Sequence, residues 1–430
     1  MFDLIIKNAQ LADSTDAKNS VDIAVKDDRI VEINPHITDG IVEGQTEIID
    51  AKGHLVTAPF IDPHFHLDST LSLGQPRLNE SGTLLEGIQL WGELKPHLTH
   101  EAIKERVHAL ARWSIARGTL AIRSHVDTSD DRLLAVGALL EAKKELAPWI
   151  DIQLVAFPQD GYYRYAKAAE NLKRALDMGV DVVGGIPHFE RTMEDGARSV
   201  KTLCEIAADR GLLVDMHCDE SDDPHSRHIE ILASETVRLG LQGRVAGSHL
   251  TSMHSMDNYY VSKLLPLIKE AEITAIPNPL INITLQGRHD SYPKRRGMTR
   301  VKEMTAMGIN VALGHDCVMD PWYSFGSHDM LEVAHMATHV AQMTGVNETK
   351  AMFKAVTENA AKVMHLQDYG IAKGNFADLV ILQAQDPIEA IRLRPARLFV
   401  IRRGKVISTT APVEAQLNLD GKRETVNFLR

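Results

Sequence analysis

The sequence predicts an α/β protein: a (β/α)8 TIM-like barrel with a small β-sandwich domain built from both termini. Three observations predict it. Eight short apolar runs recur through the middle of the chain, at residues 55–61, 120–122, 152–157, 180–186, 212–216, 244–248, 273–276 and 309–313. After the first gap most lie roughly 30 residues apart, the length of one strand plus one returning helix. The segments between them, such as 100–117 and 166–178, have helical composition and spacing. Both ends of the chain read as short strands that could not bury a core alone. An open doubly wound sheet is the alternative, but no Gly-x-Gly-x-x-Gly follows an early strand.

The terminal strands come first. Residues 4–6, 21–25 and 29–33 are rich in β-branched side chains, with Lys26-Asp27-Asp28 as a turn. Residues 377–382 and 398–401 read the same way, and Arg403-Gly404-Lys405 turns into Val406-Ile407. The expected division is therefore residues 1–57 with 370–430 as a composite β domain, and 58–369 as the barrel. A chain of 430 residues is long enough for both.

Composition narrows the setting. No stretch reaches the roughly 20 uncharged apolar residues of a membrane helix, and the N-terminus lacks the pattern of a signal peptide. The three cysteines, Cys204, Cys218 and Cys317, show no paired spacing. These features point to a reducing, cytoplasmic setting. The net charge of −11 is a poor match for a nucleic-acid polymer, while a small neutral substrate remains compatible.

The residues that end the runs carry the chemistry. In order they are His64 and His66, His125 and Asp127, Gln159, His188, His217, His249, Asn278 and Asp316. In a barrel all strand C-termini meet at one face, where the active site lies. Pro63-His64-Phe65-His66 closes the first run, and residues two apart on a strand point the same way. His64 and His66 can therefore aim both imidazoles at one point, which suits a transition metal. His217 and Asp316 complete the best ligand set; taken alone, each could simply cap a strand. Such a site can lower the pKa of a bound water from about 15.7 towards 7. Glu220, three residues after His217, is placed to move protons between water and a leaving amine. Otherwise it is a solvated loop glutamate. His249 could orient the water or polarise a carbonyl, act as a fifth ligand, or be structural.

These pieces resemble the amidohydrolase superfamily, and within it the bacterial cytosine deaminases. The matching stretches include Pro63-His64-Phe65-His66-Leu67-Asp68, Ser81-Gly82-Thr83-Leu84, Ala156-Phe157-Pro158-Gln159, Ile186-Pro187-His188-Phe189-Glu190, His217-Cys218-Asp219-Glu220, Ser248-His249, Asn278-Pro279-Leu280 and Gly314-His315-Asp316. The resemblance implies one divalent ion per subunit, Fe2+ or Zn2+, and often a hexameric homo-oligomer. It makes His64, His66, His217 and Asp316 the ligands, Glu220 the proton shuttle and His249 the group beside the water. Gln159 would bond the amide-like edge of a pyrimidine, helped by the Leu84 backbone. Trp322 would lie by the ring, although an aromatic there could equally be core. Hydroxide would attack the ring carbon of the amidine C–N bond, Asp316 would take the water proton, and ammonia would leave. The implied role is pyrimidine salvage.

One departure matters. Cytosine deaminases of this kind carry a second aspartate directly after the metal aspartate, where this chain has Cys317. Cysteine is smaller, usually neutral and less hydrated than a carboxylate. The implied consequence is room for a substituent at ring carbon 5, with 5-methylcytosine the natural candidate. Alternative substrates are other amino-heterocycles such as isoguanine or a triazine. Dinuclear members of the superfamily need a carboxylated lysine on the fourth strand, and residues 180–186 contain none. The zinc nucleobase deaminases need a Cys-x-x-Cys that is absent here. A barrel kept as a non-enzymatic scaffold would have lost metal-site residues, and none is missing.

Overall fold

The computed structural model describes residues 1–12 and 20–429. The N-terminal strands are β1 (Leu4–Leu11), β2 (Val21–Lys26), β3 (Arg29–Asn34), β4 (Glu47–Asp50) and β5 (Leu55–Thr57). The barrel strands are β6 (Phe60–Phe65), β7 (Thr119–Asp127), β8 (Asp151–Phe157), β9 (Val182–Gly185), β10 (Leu213–Cys218), β11 (Val245–His249) and β12 (Thr274–Ile276). Three more, β13 (Leu379–Leu382), β14 (Arg397–Arg402) and β15 (Lys405–Thr409), return to the terminal sheet. That sheet runs β15-β14-β13-β5-β1-β2-β3, with β4 paired to β1. It interleaves both ends of the chain, as expected. The hairpin β16 (Ala415–Leu419) and β17 (Lys422–Val426) stands apart from it.

The first apolar run, 55–61, serves two sheets. Pro59 has no N–H to donate, so a ladder cannot continue through it. Residues before it pair with β1 and β13, and β6 begins directly after it and pairs with β7. The barrel sheet is parallel throughout, in the order β6 to β12. Residues 309–316 fill the eighth position in an irregular extended form. They touch their neighbours through two bridges, Ala275 with Val311 and Phe65 with Asp316. The ring is closed by Asp316 N–H donating to His64 O (2.9 Å) and His66 N–H donating to Asp316 O (3.1 Å).

The main core packs the outer faces of these strands against the surrounding helices. Every residue of β6 and β7 is buried, as a parallel sheet covered by helices requires. Among the described residues no helix is long and apolar enough to cross a membrane.

Candidate metal-dependent active site

The strand ends converge as the barrel geometry demands. His64 and His66 leave β6 with ring centroids 5.6 Å apart. Pro63 breaks the regular ladder with β7, giving an irregularity between Asp62 and Phe65. Even so, both rings reach the same carboxylate: His64 Nε2 lies 3.5 Å and His66 Nε2 3.4 Å from Asp316 Oδ1. His217, from the end of β10, places Nε2 3.1 Å from His66 Nε2. His249, from the end of β11, lies 3.8 Å from Asp316 Oδ2 through its Nε2. His249 and Asp316 both hold left-handed backbones, with φ of 70° and 72°. Such conformations cost non-glycine residues of order 1–3 kcal/mol and cluster at functional sites.

The donor chemistry fits a divalent transition ion. His64, His217, His249 and Asp316 offer atoms within 4.8 Å of one another, and His66 joins them through the contacts just given. His64 Nε2 is buried with no hydrogen-bond partner. Its tautomer is fixed from behind: Ser248 Oγ donates to Asp215 Oδ1 (2.7 Å) and so must accept from His64 Nδ1–H (2.8 Å). That leaves the Nε2 lone pair facing Asp316. Burial holds the His217 imidazole well below the usual histidine range, with His125 and His64 adding to the effect. His66 is pushed down to about 4, chiefly by burial. Neutral imidazoles around one carboxylate are the protonation states a metal needs.

Behind the ligands lies a dry ion pair. Arg123 Nη1 meets Asp215 Oδ2 at 2.9 Å with both side chains essentially inaccessible. Removing one partner of such a pair leaves an uncompensated buried charge. Arg123→Met is therefore expected to lower the unfolding free energy by about 3–5 kcal/mol, measured by urea denaturation. An unchanged midpoint would show that Asp215 finds another partner.

Above this His/Asp cluster is a cavity of about 590 Å³, part of which opens to solvent. Of the residues singled out in the sequence, His66, Leu84, Gln159, His188, His217, Glu220, His249, Asp316, Cys317 and Trp322 line it, while His64, His125, Asp127 and Asn278 do not. Thr83 caps the helix Leu84–Leu94, its hydroxyl accepting from Glu86 N–H. As the first helical residue, Leu84 has an N–H with no intrahelical acceptor. Trp322 lies against this helix because Gly87 has no side chain; a Cβ there would sit 2.3 Å from Trp322 Cδ1. Gln159 is buried. Burial, with the Asp316 charge beside it, pushes the Glu220 carboxyl well above its usual range. Burial likewise raises the Cys317 thiol, so it is neutral, and its Sγ lies 3.7 Å from Asp316 Oδ1.

Three groups have a part that the sequence did not assign. Phe157 stacks on His217, with centroids 4.1 Å apart and planes 17° apart. His125 is fully buried with its ring centroid 4.2 Å from that of His64 and 4.5 Å from that of His217, and neither of its nitrogens has a hydrogen-bond partner. Asn282 contacts His249 from the short helix Pro279–Leu285. His125 was visible as a strand-end histidine; the other two carry no signal of their own.

The amidohydrolase family model matches residues 47–413. This chain belongs to that family. The amidohydrolase chain is 32% identical to N-isopropylammelide isopropyl amidohydrolase of Pseudomonas sp. (strain ADP), over 94% of this chain and 97% of that one. It is 27% identical to pterin deaminase of Rhizobium rhizogenes, over 94% and 92%. The solved structure of 5-methylcytosine deaminase from Klebsiella pneumoniae, liganded with phosphonocytosine, superposes with a TM-score of 0.91 at 41% identity, covering 95% and 98%. The same protein has also been solved with 5-fluorocytosine. This amidohydrolase is thus a metal-dependent enzyme whose His/Asp cluster sits at the mouth of its barrel.

Proposed function

We propose that this amidohydrolase deaminates a cytosine-type ring, with 5-methylcytosine preferred, giving thymine and ammonia. The observation that carries the reading is one pocket wall. It joins Gln159, a Glu220 carboxyl held above its usual pKa range and the Asp316 carboxyl to a neutral thiol at Cys317. The likeness to the Klebsiella enzyme supports the same substrate class.

In this reading His64, His66, His217 and Asp316 hold the metal. When bound, a divalent ion supplies an activated water at neutral pH, bound water falling from a pKa of about 15.7 towards 7. The chain's own groups do the rest. Gln159 offers both an acceptor and a donor, which matches the adjacent N1–H and C2=O of the ring. The Leu84 N–H supplies a further donor. Trp322 borders the ring. Asp316 Oδ2, turned away from the His64 and His66 contacts, takes the proton from water. The Glu220 carboxyl gives its proton to ring N3 as the water oxygen bonds to C4. Glu220 is reprotonated from Asp316 and delivers that proton to the exocyclic amine. The C4–N bond breaks and ammonia leaves as the hydroxyl on C4 gives its proton back to Glu220, forming the C4 carbonyl and restoring the acid for the next turnover.

Cys317 bears on carbon 5. A buried neutral thiol needs no hydration shell, so a methyl group can rest against it where a carboxylate would keep water. One methyl in an apolar pocket contributes about 1–3 kcal/mol, or roughly 10–200-fold. Cys317→Asp is therefore expected to lower the ratio of kcat/KM for 5-methylcytosine over cytosine by about 10–200-fold. Steady-state ammonia release measures it, and an unchanged ratio would remove Cys317 as the selector.

A second reading has an observation in its favour. The mouth is lined by Leu84, Leu85, Ile88, Ile281 and Leu285. Those side chains suit an apolar substituent, such as the alkyl group of an alkylaminotriazine. Isoguanine fits the same polar wall.

A further inference from the structure

We infer that Asn282 sets the tautomer of His249, making His249 a hydrogen-bond donor to the reacting centre rather than a fifth metal ligand. Its catalytic meaning rests on the deaminase reading above; the tautomer does not.

The argument begins with a group that has no choice. A backbone N–H can only donate. The Asn278 N–H lies 3.0 Å from the side-chain oxygen of Asn282. This fixes the orientation of the Asn282 amide, because its NH2 cannot occupy that position. The NH2 must therefore be the group 2.9 Å from His249 Nδ1. An amide NH2 donates and never accepts. Nδ1 must carry a lone pair, so the proton of the neutral ring is on Nε2. An imidazolium would set N–H against N–H.

The other neighbours agree. Asn278 Nδ2 is 3.3 Å from Nδ1 and 3.4 Å from Nε2, so it favours neither. Glu220 Oε1 lies 3.5 Å from Nδ1, beyond the closer amide. On the far side Nε2 faces Asp316 Oδ2 at 3.8 Å, over the cavity floor. Asn282 is fully buried, and its own N–H donates to Asn278 O (2.9 Å). The two asparagines thus brace each other.

A metal ligand must offer a lone pair, and His249 Nε2 carries a proton instead. His249 therefore stays out of the coordination set despite its proximity. His64 is locked in the opposite sense, its Nδ1–H given to Ser248 and its Nε2 left bare. Two buried locks thus divide neighbouring histidines into a ligand and a donor. The Nε2–H is placed to stabilise negative charge on the attacking oxygen or on a ring carbonyl. Asn282 is a positioning residue, acting through His249.

The test uses the full chain labelled with 15N-histidine and loaded with Zn2+. Resonances of His249 are assigned by their loss in His249→Gln. The expected pattern is an unprotonated Nδ1 and a protonated Nε2. In Asn282→Asp the carboxylate accepts from Nδ1, so the pattern is expected to invert. In Asn282→Leu, which removes the donor at similar volume, kcat is expected to fall about 10–100-fold with little change in KM. That loss should vanish in a His249→Gln background. A protonated Nδ1 in the unmodified protein would overturn the inference, as would an unchanged pattern in Asn282→Asp. No turnover on any cytosine, with the expected 15N pattern intact, would overturn the deaminase reading and leave the tautomer standing.

Discussion

Replacing Glu220 with glutamine is expected to lower kcat for 5-methylcytosine by about 100- to 10,000-fold, the usual contribution of a positioned acid–base group. Glutamine keeps the shape and much of the polarity of the side chain but cannot cycle a proton. KM is expected to change little, since the proposed ring contacts at Gln159 and Trp322 are untouched. Metal content should be unchanged, because Glu220 is not among the proposed ligands. The pH profile adds a second readout. Burial and the Asp316 charge raise the Glu220 pKa above the usual glutamate range. The acid form therefore persists to higher pH than in an ordinary glutamate, and kcat should decline as pH rises through the raised value. That alkaline limb should disappear in Glu220→Gln. A variant with full kcat would remove Glu220 from the proton path.

The larger effect is expected at Asp316. Its Oδ1 is the common contact of His64 and His66, and its Oδ2 faces His249. Asp316→Asn removes the single carboxylate of the proposed ligand set and the proposed acceptor for the water proton together. Turnover should fall by about four orders of magnitude or more, since activation of water at such sites spans about nine pKa units. Zn2+ bound per chain, measured after dialysis, should fall as well. The fold should survive, because the backbone bonds that close the barrel here do not use this side chain: Asp316 N–H to His64 O, and His66 N–H to Asp316 O. A thermal melt close to that of the unmodified protein checks this. Retained turnover in a metal-free variant would contradict the assignment.

The barrel was legible because its grammar is local. Each apolar run ends in a polar residue, and the shared C-terminal face gathers those residues without further information. His64 and His66 could be paired from their two-residue spacing even though Pro63 disturbs the strand between them. Two details were not local. The run at 55–61 reads as one strand, yet Pro59 divides it between two sheets. The run at 309–313 reads as a strand, yet it meets its neighbours at isolated bridges. At Gly314 a Cβ would lie 2.3 Å from Asn278 Oδ1, and Asp316 turns the chain left-handed at φ 72°.

The candidate ligands and the proposed proton shuttle could be picked out because metal and acid–base chemistry restrict residue type. Their supports could not. Phe157 on His217, Ser248 behind His64 and Asn282 behind His249 are ordinary residues whose roles depend on contacts between distant segments. The Asp215–Arg123 pair joins residues 92 positions apart in the chain. Only the folded barrel brings them together.

The central claim is that this site removes the amine of a 5-substituted cytosine. Its most direct test is kcat/KM for amine release by the metal-loaded protein, side by side on four substrates: ammonia from 5-methylcytosine, cytosine and isoguanine, and isopropylamine from N-isopropylammelide. The predicted result is turnover of both cytosines, with 5-methylcytosine the better substrate and the other two far behind. A higher kcat/KM on isoguanine or N-isopropylammelide, or no turnover of either cytosine, would contradict it.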